Sequence, residues 1–271
     1  MLETAIEAAS AAGKLLRKSF GSTLNVNQAT PHDIKLEIDE QSQKLITQII
    51  LADFPEHCIL GEEATTGNPN AEVRWVVDPL DGTVNYFYGI PHYAVSIAAQ
   101  TRKGSNWQTM AGVVLDPELD ELFVSEKGEP AMLHGQPIHV SERTELSEAI
   151  VAIGFFKSVD TINRSLRDFG KMIHQVRKLR LMGAASLDVV YVACGRYDAY
   201  IEYGIKLWDI AAGQIILENA GGRVENITTS DPHTVDTRMW NGKIPIGDLL
   251  KPSESGSLGP VQQREQPGAH D

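Results

Sequence analysis

The 271-residue chain is 42% hydrophobic and 22% charged, enough apolar content to bury a sizeable core and too much for a fibrous or disordered protein. Its 36 acidic and 24 basic side chains leave a formal net charge of −12. That field repels nucleic acid and anionic lipid, and a phosphate-bearing ligand needs a local cation, divalent metal above all, to reverse it.

The N-terminus reads as an amphipathic helix, with Leu2, Ile6, Ala9, Leu16 and Phe20 at helical spacing. Glu3 and Glu7 stand where a signal peptide would be basic. No apolar run reaches the roughly 18 residues that span a bilayer. Two cysteines, Cys58 and Cys194, make no disulfide framework. The expectation is a cytoplasmic protein with neither membrane nor nucleic-acid partners. A second helix is predicted from Asp39 to Asp53, with Leu45, Ile46, Ile49 and Ile50 on one face. A short strand, HCIL, ends in Gly61-Glu62-Glu63. After a polar loop from Thr65 to Asn70, the buried strand WVVD runs into Pro79-Leu80-Asp81-Gly82-Thr83. YAVSIAAQ, MAGVVLD and ELFVSE have strand composition, and Pro117-Glu118-Leu119-Asp120 between the last two signals a hairpin.

In the second half, AIVAIG reads as a strand and Thr161 to Val176 as a polar helix. AASLDVVYVACG reads as a helix ending at Gly195, and YDAYIEYG as a strand. WDIAAGQIILENAGG reads as a helix stopped by Gly221-Gly222. Strands and helices alternate without a uniform βαβ rhythm, which predicts an α+β arrangement of layered sheets and helices rather than a barrel or doubly wound fold. One domain over 1–250, with possible halves 1–145 and 146–250, is expected. Residues 251–271 lack the apolar surface to offset ordering and read as a disordered tail.

Acids stand where three segments change direction. Glu62 follows HCIL, Asp78 and Asp81 flank Pro79-Leu80, and Asp209 opens a helix. Mg²⁺ takes oxygen ligands in octahedral geometry, commonly a few carboxylates plus water and phosphate oxygens, and two such ions can share a carboxylate. Asp78 and Asp81 can point at one centre with the Leu80 carbonyl between them. Gly82 permits close backbone approach, and the Gly82 and Thr83 amides can cradle an anion. Each piece has a plainer reading: D-P-x-D-G is an ordinary turn composition, Asp209 a helix N-terminal acid, and Glu62-Glu63 a solvated pair.

Taken together, the segments resemble a known family. WVVDPLDGTVNY resembles the first signature of the inositol monophosphatase family and LWDIAAG its second; GEE, AASLDVVYVACGRYDAY and the Ala-Gly-Gly after the last helix fall in family order and spacing. The resemblance runs from about Asp33 to Gly222. It implies the layered αβαβα sandwich shared with sugar bisphosphatases, a lithium-sensitive, Mg²⁺-dependent phosphatase and frequent homodimers. It also implies site roles. Glu62, Asp78 and the Leu80 carbonyl would hold the first Mg²⁺, and Asp78, Asp81 and Asp209 the second. A third ion would sit near Glu62, held largely through water. Thr83, paired with Asp39, would orient the attacking water, with Glu62 also in the catalytic set. Asp81, Gly82, Thr83, Ala185, Glu202 and Asp209 would meet the substrate. The chain departs from the family at Leu36, where Thr is common, and near Gln28, where a basic residue is common.

The expected activity is hydrolysis of inositol monophosphate, with a phosphorylated polyol or sugar as partner. Rival substrates within the superfamily are fructose 1,6-bisphosphate, histidinol phosphate and 3′-phosphoadenosine nucleotides. A non-catalytic regulatory or binding protein on the same scaffold is the rival of another class.

Overall fold

The structure, a computed structural model, describes residues 1–29, 34–155 and 158–249. Helix α1 (Leu2–Ser19) is followed by a short antiparallel pair, β1 (Val26–Ala29) and β2 (Ile34–Leu36), and by α2 (Glu37–Asp53). The first large sheet is built from β3 (Cys58–Gly61), β4 (Thr65–Gly67), β5 (Val73–Asp81), β6 (Ala94–Lys103), β7 (Asn106–Asp116), β8 (Glu121–Glu126), β9 (Met132–Leu133) and β10 (Gln136–Pro137). A one-turn helix, α3 (Thr83–Phe87), leaves the end of β5. The strand order is β10-β9-β8-β7-β6-β5-β3-β4, antiparallel throughout except where β3 meets β5. The second sheet contains β11 (Ile150–Ile153), β12 (Lys178–Arg180), β13 (Ala199–Lys206), β14 (Arg223–Thr228) and β15 (Thr234–Trp240), ordered β12-β11-β13-β15-β14. Helices α4 (Val159–Met172), α5 (Ala185–Ala193), α6 (Leu207–Asn219) and α7 (Ile246–Leu249) complete the described residues.

The layers follow from which face each side chain buries. Ala5, Ala8, Ala9, Ala12 and Leu16 form the buried stripe of α1, and these small residues bring the helix close to β7. A Cβ on Gly13 would stand 2.5 Å from the Leu115 side chain. Along β5 the side chains alternate: Trp75 and Val77 enter the core under α1 and α2, while Val76 enters the core around α5 and α6. Along β13, Tyr200 and Ile205 face α5 and α6, whereas Ile201 and Tyr203 join Met172 of α4 on the far side. The order is therefore α1/α2, sheet, α5/α6, sheet, α4, the layered αβαβα sandwich expected from the sequence. Among the described residues no helix is long and apolar enough to cross a membrane.

Boundaries differ from expectation in places that matter. The strand WVVD does not stop before its proline: β5 continues to Asp81, and its register with β6 shifts between Asp78 and Asp81. Pro79 brings no N–H to the ladder, so it sits at this irregularity without a lost bond, and the Ser42 hydroxyl takes its carbonyl at 2.9 Å. Helix α4 begins two residues earlier and ends four earlier than the polar pattern suggests; at its N-terminus the Thr161 amide donates to Ser158 Oγ. The short strands β1, β2, β9, β10 and β12 and the longer β14 and β15 lie outside the expected strands, and β4 forms within the stretch Thr65 to Asn70 expected as a loop. β14 is largely exposed, so it carries little of the apolar signal by which strands are recognised. The expected tail lies outside the described residues.

Candidate active site

Between the two sheets, the end of β3, the irregular end of β5, the start of α3, the N-termini of α5 and α6, and β11 and β13 meet around a cavity of about 260 Å³. Six acids line it: Glu62, Asp78, Asp81, Asp188, Glu202 and Asp209. Among the described residues no lysine, arginine or histidine lines it. Leu80, Gly82, Thr83 and Ala185 line it too, so every residue anticipated for metal or substrate is present. Asp39 alone among the anticipated residues is not part of the lining.

Local structure aims each acid. Asp78 Oδ1 accepts from the Leu80 amide at 3.0 Å, folding the Asp-Pro-Leu segment back on itself. Asp209 is the third residue of α6, and its Oδ2 accepts from the Lys206 amide at 3.2 Å. The plain capping role is thus fulfilled by one oxygen. Asp81 Oδ2 accepts from the Ser186 amide at 2.7 Å and from the Ser186 hydroxyl, so the N-terminus of α5 fixes an acid 105 positions earlier in the chain. The Asp78 carboxyl also reaches Glu62 on one side and Asp209 on the other.

Such crowding in a dry site disfavours charge. Burial, reinforced by the neighbouring Glu63, pushes Glu62 up to about 7; the Asp78 carboxyl and the Lys35 charge, which pairs with Glu63 at 3.0 Å, draw it partly back. Burial also drives Asp78 and Asp209 well above the usual carboxylate range, and the charges of Glu62 and Asp81 add to it for both. Asp81 is raised only to about 6, because Ser186 and the neighbouring amides favour its ionised form.

Gly82 has φ +88, and a Cβ there would stand 3.0 Å from the His92 carbonyl and 3.2 Å from that of Gly183, so both its handedness and its space require glycine. The Thr83 hydroxyl donates to the Leu80 carbonyl at 2.9 Å. This is not the pairing with Asp39 that the family resemblance implies. Asp39 instead caps α2, its Oδ2 accepting from the Leu36 amide at 2.7 Å while Oδ1 is buried without a partner. Burial raises its carboxyl to about 8.

Glu202 was legible as a strand-end acid, but it lies inside β13 and is only 8% exposed. The Tyr200 hydroxyl donates to its Oε2, and burial pushes the carboxyl up to about 7. A Cβ on Gly154 would fall 1.8 Å from Glu202 Oε2, so glycine is what leaves room for this carboxylate. Asp188, Gly154 and Ser186 escaped the sequence reading. The available signal for Asp188 was one acid in the otherwise apolar run Leu187 to Ala193.

Among the described residues the donor set is all oxygen, dominated by carboxylates, with no basic side chain to balance it, which fits a hard divalent cation. Among the described residues no three acidic, histidine or cysteine side chains are arranged to hold one ion between them.

Comparison with known proteins agrees with this picture. The family model described as the inositol monophosphatase family matches residues 1–247. The Nus factor SuhB of Pseudomonas aeruginosa is 39% identical over 238 residues, 85% of this chain and 86% of that protein. Two solved structures superpose closely. The extragenic suppressor protein SuhB of Bartonella henselae gives a TM-score of 0.85 at 30% identity, covering 92% of this chain and 98% of the other. An inositol monophosphatase from Anabaena gives 0.77 at 35% identity, covering 92% and 93%.

Proposed function

Because the chain belongs to the inositol monophosphatase family, we propose that it is a Mg²⁺-dependent phosphomonoesterase that hydrolyses inositol monophosphate to inositol and phosphate. The observation that carries this reading is a cavity lined, among the described residues, by six acids and no basic side chain. Such a site has no affinity for a phosphate ester until cations occupy it.

In this reading Glu62, Asp78 and the Leu80 carbonyl hold one ion, and Asp78, Asp81 and Asp209 another. A third is held more loosely near Glu62. Bound Mg²⁺ supplies Lewis acidity toward phosphoryl oxygens and acidifies water. The protein supplies position. Thr83 gives its proton to Leu80, which leaves its oxygen free to accept from the attacking water. In this reading the partnerless Oδ1 of Asp39 is a further acceptor for that water. Gly82 and Thr83 present backbone N–H groups to the phosphate, and the small Ala185 leaves room for the ester. Glu202, held by Tyr200, accepts from a ring hydroxyl. Water attacks phosphorus in line without a phosphoenzyme, because the acids serve as ligands.

The protein works, in this reading, as a cytoplasmic homodimer built on one domain over 1–250. Support for the dimer comes from Val84, Tyr88, Ile90 and Leu181, exposed by 43%, 69%, 48% and 56%. Asn85 ties the first three to the fourth by donating to the Met182 carbonyl at 2.8 Å. A second reading, a non-catalytic regulatory role, is favoured by the name Nus factor carried by relatives such as that of Pseudomonas aeruginosa. Against it, every carboxylate proposed as a ligand is present. Phosphate release with and without Mg²⁺, measured over inositol, sugar, histidinol and nucleotide phosphates, separates the readings. Turnover highest on inositol phosphate supports the first, and no turnover on any ester supports the second.

A further inference from the structure

Asp188 is the acid of this cavity that the proposed ligand set does not use. It lies one turn into α5, 3% exposed, on a helix whose neighbouring residues Leu187, Val189 and Val190 are fully buried in apolar core. Its Oδ1 is buried without a hydrogen-bond partner. Leaving such an atom unsatisfied is costly for the fold, and nothing in the packing repays it.

The donors on this wall are already committed. Ser186 gives both its amide and its hydroxyl to Asp81, and Tyr200 gives its hydroxyl to Glu202. Asp78 and Asp209 each receive a backbone amide. Asp188 has no such donor among the described residues, yet it lines the cavity. Side chains on a helix lean toward its N-terminus, and the residues one turn back are Ala184 and Ala185, which also line the cavity. Their small size opens the space into which Asp188 leans. It shares the cavity lining with Asp81 at the phosphate end of the proposed site and with Glu202, the proposed hydroxyl-binding acid, and these are the acids whose charge it feels. Ile153, Phe155 and Ile205 supply apolar surface beside it.

We propose that Asp188 is a specificity-determining residue, accepting a hydrogen bond from a second substrate hydroxyl beside the one held by Glu202, so that the cavity selects polyol phosphates bearing at least two free hydroxyls. The inference rests on the phosphatase reading above and deepens it.

The test compares Asp188→Ala and Asp188→Asn with the unaltered protein on inositol 1-phosphate and on 4-nitrophenyl phosphate, which has no hydroxyl. Asp188→Ala is expected to lower kcat/KM on inositol 1-phosphate roughly 10- to 150-fold, chiefly through KM, the span expected for a hydrogen bond to a charged group. The aryl ester should change by less than about threefold, and the Mg²⁺ concentration for half-maximal rate should not move. Asp188→Asn keeps an acceptor and should lose less on the polyol. If the alanine variant does not fold, a loss by the asparagine variant confined to inositol 1-phosphate supports the inference. Equal losses on both esters, a shifted Mg²⁺ requirement, or no loss on either overturns it. Should the unaltered protein turn over no ester, the phosphatase reading fails by itself. Calorimetric titration with myo-inositol in Mg²⁺ and inorganic phosphate then decides: binding weakened by Asp188→Ala supports the role, and unchanged or absent binding overturns it.

Discussion

Glu202→Gln is a nearly isosteric way to ask what burying one acid costs this fold. The carboxyl rises from an ordinary 4.5 to about 7, with burial as the main cause and the charge of Asp81 adding to it. An acid with a raised folded-state value is protonated in both states below about 4.5 and ionised in both above about 7. Its destabilising effect is therefore absent at low pH, grows between those values, and is complete above them. A rise of about 2.5 units corresponds to an upper bound of roughly 3–4 kcal/mol, at about 1.4 kcal/mol per unit. Glutamine cannot ionise, and its carbonyl still accepts from Tyr200. In EDTA, urea unfolding should show the two proteins nearly equal in stability at pH 4.5. At pH 8 the variant should be more stable, by about 2–3 kcal/mol. The midpoint difference should open between those pH values with little change in m. A difference independent of pH, or a variant less stable at pH 8, would refute the argument that the ionised carboxylate is a strained burial.

Other outcomes follow from the same geometry. Asp209→Asn keeps an acceptor for the Lys206 amide but removes a charge from the acid cluster, so Mg²⁺-dependent turnover should fall by orders of magnitude while the metal-free melting temperature holds or rises; near-normal turnover at saturating Mg²⁺ contradicts the ligand assignment. Gly82→Ala forces a side chain into φ +88 and to 3.0 Å from the His92 carbonyl, so chemical denaturation should register a loss of about 1–3 kcal/mol together with reduced turnover; a fully stable variant would mean the loop relaxes freely. Gly154→Ala puts a methyl where Glu202 Oε2 sits, so KM for a polyol phosphate should rise while an aryl phosphate is affected far less; equal effects on both would place Glu202 outside substrate recognition. Li⁺ should lower phosphate release at fixed Mg²⁺, and complete indifference would count against the proposed second ion site.

Local patterns were enough for much of this protein. Helical periodicity marks α1 and α2, and the runs around β6, β7 and β13 are apolar because sheets covered on both faces have no water side. Asp78 and Asp81 flank Pro79-Leu80 within one short stretch, so their nearness is a property of the chain itself. Two long signatures in order were sufficient to recognise the family and, through it, the layering. The rest needed the tertiary structure, because it depends on groups distant in sequence sharing one small space. Ser186 holds Asp81 across 105 positions, and Gly154 of β11 makes room for Glu202 of β13. No linear spacing encodes either contact. The same is true of Asp39 and Asp188. Asp39 is one of three acids in the first turn of its helix and Asp188 a lone acid in an apolar one, and only packing decides that the first turns its carboxylate to the α2 cap while the second, without a donor among the described residues, lines the cavity between the sheets. Burial then determines their chemistry, since a carboxylate's charge state follows from the water and donors around it, and those are set by the assembled layers.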